Sequence, residues 1–221
     1  MKKIMFNDKY GLTQAVLGGR KTMTRRIIPD GLLTDAMTYA CGDTAKRDKY
    51  LLAHAPYKVG DVIAVAQDYK TAYEAIGGIY GHTKANVWWR ELHNRLQCDP
   101  HDTFGYRNKM YVCADCMPYR IRVTGLKLEH IAKISDEDCR MEGIVRVNWR
   151  QYPDSGSDRY VDRDVWTLPI YDDDGQLSND DGSWAGNTAH TAFGALIIQM
   201  MGRKTWESNP LVFVYKFELE T

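Results

Sequence analysis

No apolar run in the 221 residues approaches the length needed to cross a bilayer, so no membrane-spanning helix and no membrane partner are expected. Net charge is missing as well, because 29 Lys and Arg balance 29 Asp and Glu. That excludes a chain-wide polyanion-binding surface, and any nucleic-acid contact has to come from a local basic patch. Met1 to Asp8 carry charge but no long apolar core, which is not the pattern of a secretory signal. Cytoplasmic residence is the corresponding expectation. The five cysteines, at positions 41, 98, 113, 116 and 139, form an odd, scattered set that suits reduced thiols. Cys113-Ala-Asp-Cys116 has metal-ligand spacing, yet no second CxxC or HxxxH pair completes a tetrahedral site. Asp172-Asp173-Asp174-Gly175 and Asn179-Asp180-Asp181-Gly182 look like calcium loops but lack the glutamate that closes an EF-hand. A solvated insertion or hairpin loop is the simpler reading of that region. No metal and no cofactor are expected. No internal repeat or linker divides the chain, so residues 1–221 read as one domain.

What is present is an ordinary globular composition, 44% hydrophobic and 26% charged. Lys2 to Phe6 reads as a short strand. Tyr10 to Leu17 reads as an amphipathic helix, with Asp8 or Thr13 as its cap and Gly18-Gly19 as its end. Residues 30–57 are polar and show no period. Gly60-Asp61 is a turn before a β-branched strand from Val62 to Ala66. Trp88-Trp89-Arg90 lies on a helix from about Ala85 to Leu96; aromatics beside arginine can stack on nucleobases, but core packing is the commoner role. Lys109 to Met117 alternates (Met110, Val112, Ala114) as a strand would. The strongest strand signal runs from Tyr119 to Ile131, kinked at Gly125. Ser135 caps a short acidic helix that ends at Gly143, and residues 189–201 repeat at helical period up to Gly202. Asn209-Pro210 turns the chain into a long final strand, Leu211 to Leu219. Several strands with short helices and no regular βαβ alternation suggest an α+β fold, a small β-barrel with peripheral helices.

The densest chemistry lies in Gly19-Arg20-Lys21-Thr22-Met23-Thr24-Arg25-Arg26, four cations and two hydroxyls in eight residues. If the run is extended, Thr22, Thr24 and Arg26 share one face and Lys21, Met23 and Arg25 the other. From composition alone it also reads as a solvated basic loop after a helix.

Four motifs in a fixed order give this run a context. They are Gly19-x-Lys21-x-x-Thr24-x-Arg26, Val59-Gly60-Asp61-Val62, Ser135-x-Glu137-Asp138 with Glu142-Gly143, and Trp206-x-x-Asn209-Pro210. Together they resemble the ASCH domain, most closely the long members found in phages and prophages, which also carry a Met-Pro like Met117-Pro118 before a strand. The likeness covers residues 1–144 and 188–221. It is poor at about 30–57, and at two divergent inserted segments, about 70–107 and 145–187. It implies a PUA-like β-barrel related to RNA-binding domains, with RNA, a nucleotide or a modified nucleoside as partner. One bacterial branch of the family hydrolyses N4-acetylcytidine to cytidine and acetate, and a ribonuclease activity has been proposed for other members. The branch's lysine, threonine, arginine and glutamate fall here on Lys21, Thr24, Arg26 and Glu142. Glu74 also follows a strand, but no matching motif surrounds it.

The chemistry can be argued from the residues too. Amide hydrolysis needs a nucleophile, a base and a group to hold an oxyanion. A desolvated Lys21, its ammonium disfavoured by Arg25 and Arg26, can deprotonate Thr24. Arg26 could hold the oxyanion or the base carbonyl, and Glu142 could protonate the leaving amine or hold Lys21. Arg20 and Arg25 supply supporting charge for substrate binding. The same residues would suit a nucleotide-binding pocket without chemistry, or a ribonuclease, although no dedicated histidine pair is present for the latter.

Overall fold

The computed structural model describes residues 1–151, 161–169 and 185–220. Its centre is a five-stranded mixed sheet in the order β1-β3-β4-β7-β2, formed by β1 (Lys3–Ile4), β2 (Met23–Ile27), β3 (Val62–Val65), β4 (Arg120–His130) and β7 (Leu211–Glu220). Only β1 and β3 run parallel; the remaining pairs are antiparallel. The last strand lies inside the sheet, as its dense apolar content requires, and Val212, Phe213, Val214 and Tyr215 are all buried. The kink at Gly125 is a register shift between Val123 and Gly125 against β7. A Cβ at Gly125 would come within 3.3 Å of Lys216 Cβ.

The α+β class is as expected. Strands β1 and β2 are the sheet edges, and among the described residues no backbone ladder joins them. Side chains bring the two edges together instead. Arg26 Nη2 donates to the Met5 carbonyl at 2.5 Å, its guanidinium lies 5.5 Å from the Phe6 ring, and Phe6 packs on Phe217.

Around the sheet lie α1 (Leu12–Leu17), α2 (Asp30–Ala40), α3 (Thr44–Ala53), α4 (Tyr69–Ala75), α5 (Thr83–Leu96), α6 (Asp136–Met141), α7 (Ala189–Met201) and α8 (Arg203–Ser208). The periodic residues of α7 form its core face: Ala192, Phe193, Leu196 and Ile197 are buried. Trp88 and Trp89 on α5 pack against a small second core of Ala64, Ala66, Tyr69, Leu92, Val112 and Met117, which is the packing role expected of them.

Several expectations need correction. Residues 30–57 hold two helices, α2 and α3, whose fully buried residues are only Ala36, Ala40 and Leu51. Leu32, Leu33 and Tyr50 pack half-buried against the core beside them, so the apolar face is made of small or partly exposed residues set among polar ones. Lys109 to Met117 is not a strand but two 3-10 turns. The Met110 and Val112 carbonyls that a neighbouring strand would satisfy accept instead from Lys3 Nζ, at 2.6 and 2.9 Å. Neither Asp8 nor Thr13 caps α1. Gly11 stands there at φ 61°, and the Thr13 hydroxyl donates to the Asp8 carboxylate. Helix α8 was not anticipated. In the 145–187 region, β5 (Val145–Gln151) and β6 (Val161–Thr167) pair antiparallel with each other, and one bridge joins Trp166 to Gly186. The two calcium-like runs lie outside the described residues. No helix among the described residues is long and apolar enough to cross a membrane.

Candidate active site

The edge strand β2 is held from both ends. Gly19 adopts φ 71°, a turn that glycine makes without strain. The Lys21 N–H then donates to the Ala15 carbonyl at 2.9 Å, and the Thr22 N–H to the Met141 carbonyl at 2.8 Å. Thus α1 and the end of α6 fix where Lys21 enters the fold. On the other side, the Ser135 hydroxyl accepts from the Asp138 N–H and starts α6, as anticipated. Its C-terminal neighbour Glu142 precedes Gly143 at φ 104°, where the chain turns away. That turn leaves the Glu142 side chain buried against β2.

Alternation along β2 separates two sets of partners. Arg25 lies across from Val214, which itself pairs with Lys127, while Glu129 pairs with Val212. This shared face is covered by α6 and α7. Arg25 Nη1 donates to Glu142 Oε1 at 3.0 Å, and Nη2 to Glu129 Oε2 and Asp138 Oδ2, each at 2.8 Å. Lys21 Nζ pairs with Glu142 Oε2 and also donates to the Glu142 carbonyl at 3.2 Å. Lys127 completes the set through Asp138 at 2.9 Å. Three cations therefore meet three carboxylates, and Lys21, Arg25 and Glu142 are 3%, 7% and 4% exposed. Arg26 stands apart from this network, on the face of Tyr215 and Phe6.

Because β2 is an edge, residues of both faces border one cavity of about 570 Å³. Lys21, Thr24, Arg25, Arg26 and Glu142 line it, with an apolar wall from Phe193, Leu196, Ile197 and Met200 of α7. Five of the six residues singled out from the sequence are thus brought together. Arg20 is not among the lining residues. Thr24 is 5% exposed, and no hydrogen bond links it to Lys21.

Burial lowers the Lys21 pKa from its ordinary 10.5, with Arg26 and Arg25 acting in the same direction and Glu142 opposing. Burial also works against the charge on Arg25, but Glu142 and Glu129 outweigh it and raise its pKa. Burial lowers that of Arg26, with Tyr57 and Glu142 partly offsetting. Asp138 is held below the usual carboxylate value: burial would raise it, but Lys127 and Arg25 prevail. Among the described residues no group of three His, Cys, Asp or Glu side chains is placed to hold a metal.

No protein-family model matches the chain. Neither curated proteins nor solved structures give a match either. The site therefore has to be read from its own geometry. Sequence reasoning missed Glu129, Lys127 and the role of Asp138, which it took only as a helix-start acid. The signal that would have found them is the β2–β7–β4 register, which places Arg25, Val214 and Lys127 in one row.

Proposed function

We propose that this cavity binds a nucleoside or RNA base in an ASCH-like, PUA-like domain, and that it hydrolyses the amide of N4-acetylcytidine. The observation that carries the reading is the convergence of Lys21, Thr24, Arg26 and Glu142 on one cavity. Its volume of about 570 Å³ is that of small-molecule sites generally. The approach of the β1 and β2 edges at Arg26 fits a barrel closed by side chains, in keeping with the resemblance.

In this reading the apolar wall of α7 holds the pyrimidine. Lys21, deprived of solvent, takes the Thr24 hydroxyl proton as Oγ1 attacks the acetyl carbon. Arg26 holds the oxyanion that forms. The bond from the acetyl carbon to N4 breaks as the proton taken from Thr24 passes from Lys21 through the paired Glu142 carboxylate to N4, and cytidine leaves. Water then attacks the acetyl ester on Thr24, releasing acetate and restoring the hydroxyl. Glu142 also holds Lys21 in place between turnovers.

Acetate release from N4-acetylcytidine by the purified protein tests this. Activity is expected, and Lys21→Ala and Thr24→Ala should each abolish it. Intact acetylcytidine after incubation with the wild-type protein would sink hydrolysis. The missing Thr24–Lys21 hydrogen bond favours a second reading, a base-binding site without turnover. That reading expects a thermal shift with cytidines or short RNA and no acetate. A ribonuclease would instead cleave RNA and leave the nucleoside untouched, and among the described residues no histidine lines the cavity to serve it.

A further inference from the structure

The pair Cys113 and Cys116 lies outside the proposed site and is unused by it. Its backbone is pinned at both ends. The Cys113 N–H donates to the Tyr69 hydroxyl oxygen at 2.9 Å, and Trp88 Nε1 donates to the Cys116 carbonyl at 2.8 Å. Between them the Cys116 N–H closes a turn onto the Cys113 carbonyl at 3.1 Å. The ends of such a turn lie within about 7 Å of each other, and a disulfide bridges Cα atoms roughly 4.4–6.8 Å apart. Both thiols are half-buried, so reagents can reach them. Cys116 also borders a cavity of about 750 Å³ whose walls include Trp88, Arg95 and Arg120, which leaves its side chain room to rotate. Among the described residues no third ligand joins the pair to make a metal site.

We propose that Cys113 and Cys116 form a reactive dithiol that exchanges with small disulfides and closes to an intramolecular disulfide. Cys113 is the attacking group. Burial disfavours its ionisation, but Cys116, the N–H groups of Asp115 and Cys116, and Arg95 outweigh it and lower its pKa. Burial and the neighbouring Cys113 push Cys116 up to about 12, so it stays protonated and acts second. In the first step the Cys113 thiolate attacks a glutathione-type disulfide, forming a mixed disulfide and expelling one thiolate. That thiolate takes the Cys116 proton. The Cys116 sulfur then attacks Cys113 Sγ, forming the internal disulfide and releasing a second thiolate. The protein loses two electrons and the small disulfide gains them.

Oxidised glutathione added to the full-length protein, followed by alkylation and peptide mass spectrometry, tests the assignment. The peptide carrying both cysteines should lose two hydrogens and keep no glutathione. Cys116→Ser should stop with one glutathione on Cys113, and Cys113→Ser should leave Cys116 reacting about tenfold more slowly or less. Arg95 is 57% exposed, so Arg95→Gln should fold normally and slow the first step about threefold or more. Modification of Cys113 no faster than that of exposed Cys41 and Cys98, or stable glutathione on both Cys113 and Cys116 in the wild type, would overturn the proposal.

Discussion

Replacing Glu142 by Gln removes one charge from a buried set that is otherwise balanced, and its cost can be worked through. Among the described residues Glu142 is the sole carboxylate on Lys21 and one of three on Arg25. Gln keeps the shape but leaves Lys21 as an uncompensated buried cation. Removing one partner of a buried pair costs about 3–5 kcal/mol. For a chain of this size that corresponds to a fall in Tm of roughly 6–20 °C. The loss should depend on pH, because Lys21 can escape it by shedding its proton. Without Glu142 the one contact that raises its pKa is gone, so the folded value drops further below 10.5. Between the folded and unfolded values the unfolded chain binds one more proton, so stability rises with pH, by up to about 1.4 kcal/mol per pH unit. That window is wider in the variant than in the wild type, and the deficit should narrow as pH rises. Urea unfolding at pH 6, 7.5 and 9 would measure it. In a double-mutant cycle, Lys21→Met in the Glu142→Gln background should recover much of the loss. A variant within about 0.5 kcal/mol of wild type at neutral pH, or a deficit constant across pH with additive mutations, would refute the reasoning.

Three further outcomes follow from the same geometry. Gly143→Ala should destabilise the protein by about 1–3 kcal/mol and weaken turnover. Its φ of 104° is strained for alanine, and the added Cβ would sit 3.1 Å from Leu168 Cδ1 and 3.6 Å from Lys21 Cβ; thermal melts and acetate release read the two effects. Asp138→Asn should lower stability at neutral pH, with the gap closing in acid. The wild-type carboxylate has a depressed folded pKa, so its contribution is present above the unfolded value near 3.8 and is lost as pH falls through the folded one; denaturation at pH 7 and pH 3 tests this. If neutral Lys21 is the base, as proposed, the kcat/KM for acetylcytidine should rise with pH along a limb centred below 10.5, and a limb at or above that value would exclude Lys21 from the role.

How much could be read from the chain depended on how local each signal was. The Gly125 kink, the Ser135 cap, the Asn209-Pro210 turn and the apolar face of α7 each rest on neighbours within one or two turns, and all appear where expected. Helices α2 and α3 were hard to read because their core face combines fully buried Ala36, Ala40 and Leu51 with half-buried Leu32, Leu33 and Tyr50, set among many polar residues. The Met110–Val112–Ala114 alternation misled because the Met110 and Val112 carbonyls are satisfied by Lys3, more than a hundred residues away. The site shows the same division. Lys21, Thr24, Arg26 and Glu142 carry motif spacing, so they could be named. Glu129 and Lys127 sit on a strand two ladders from Arg25, and nothing short of the register reveals that they face it.

The contact between Arg26 and the Met5 carbonyl has a consequence for ligand binding. That side chain is the clasp between the two edge strands, β1 and β2, and it also points at the cavity. A ligand that recruits the guanidinium must compete with the carbonyl, so occupancy and the seam between the two edges are thermodynamically linked. Ligands that take Arg26 should speed amide exchange along Lys3 to Phe6, and substitutions that loosen this seam should tighten their binding. Recognition at one wall of the cavity would then be felt as breathing of the sheet itself.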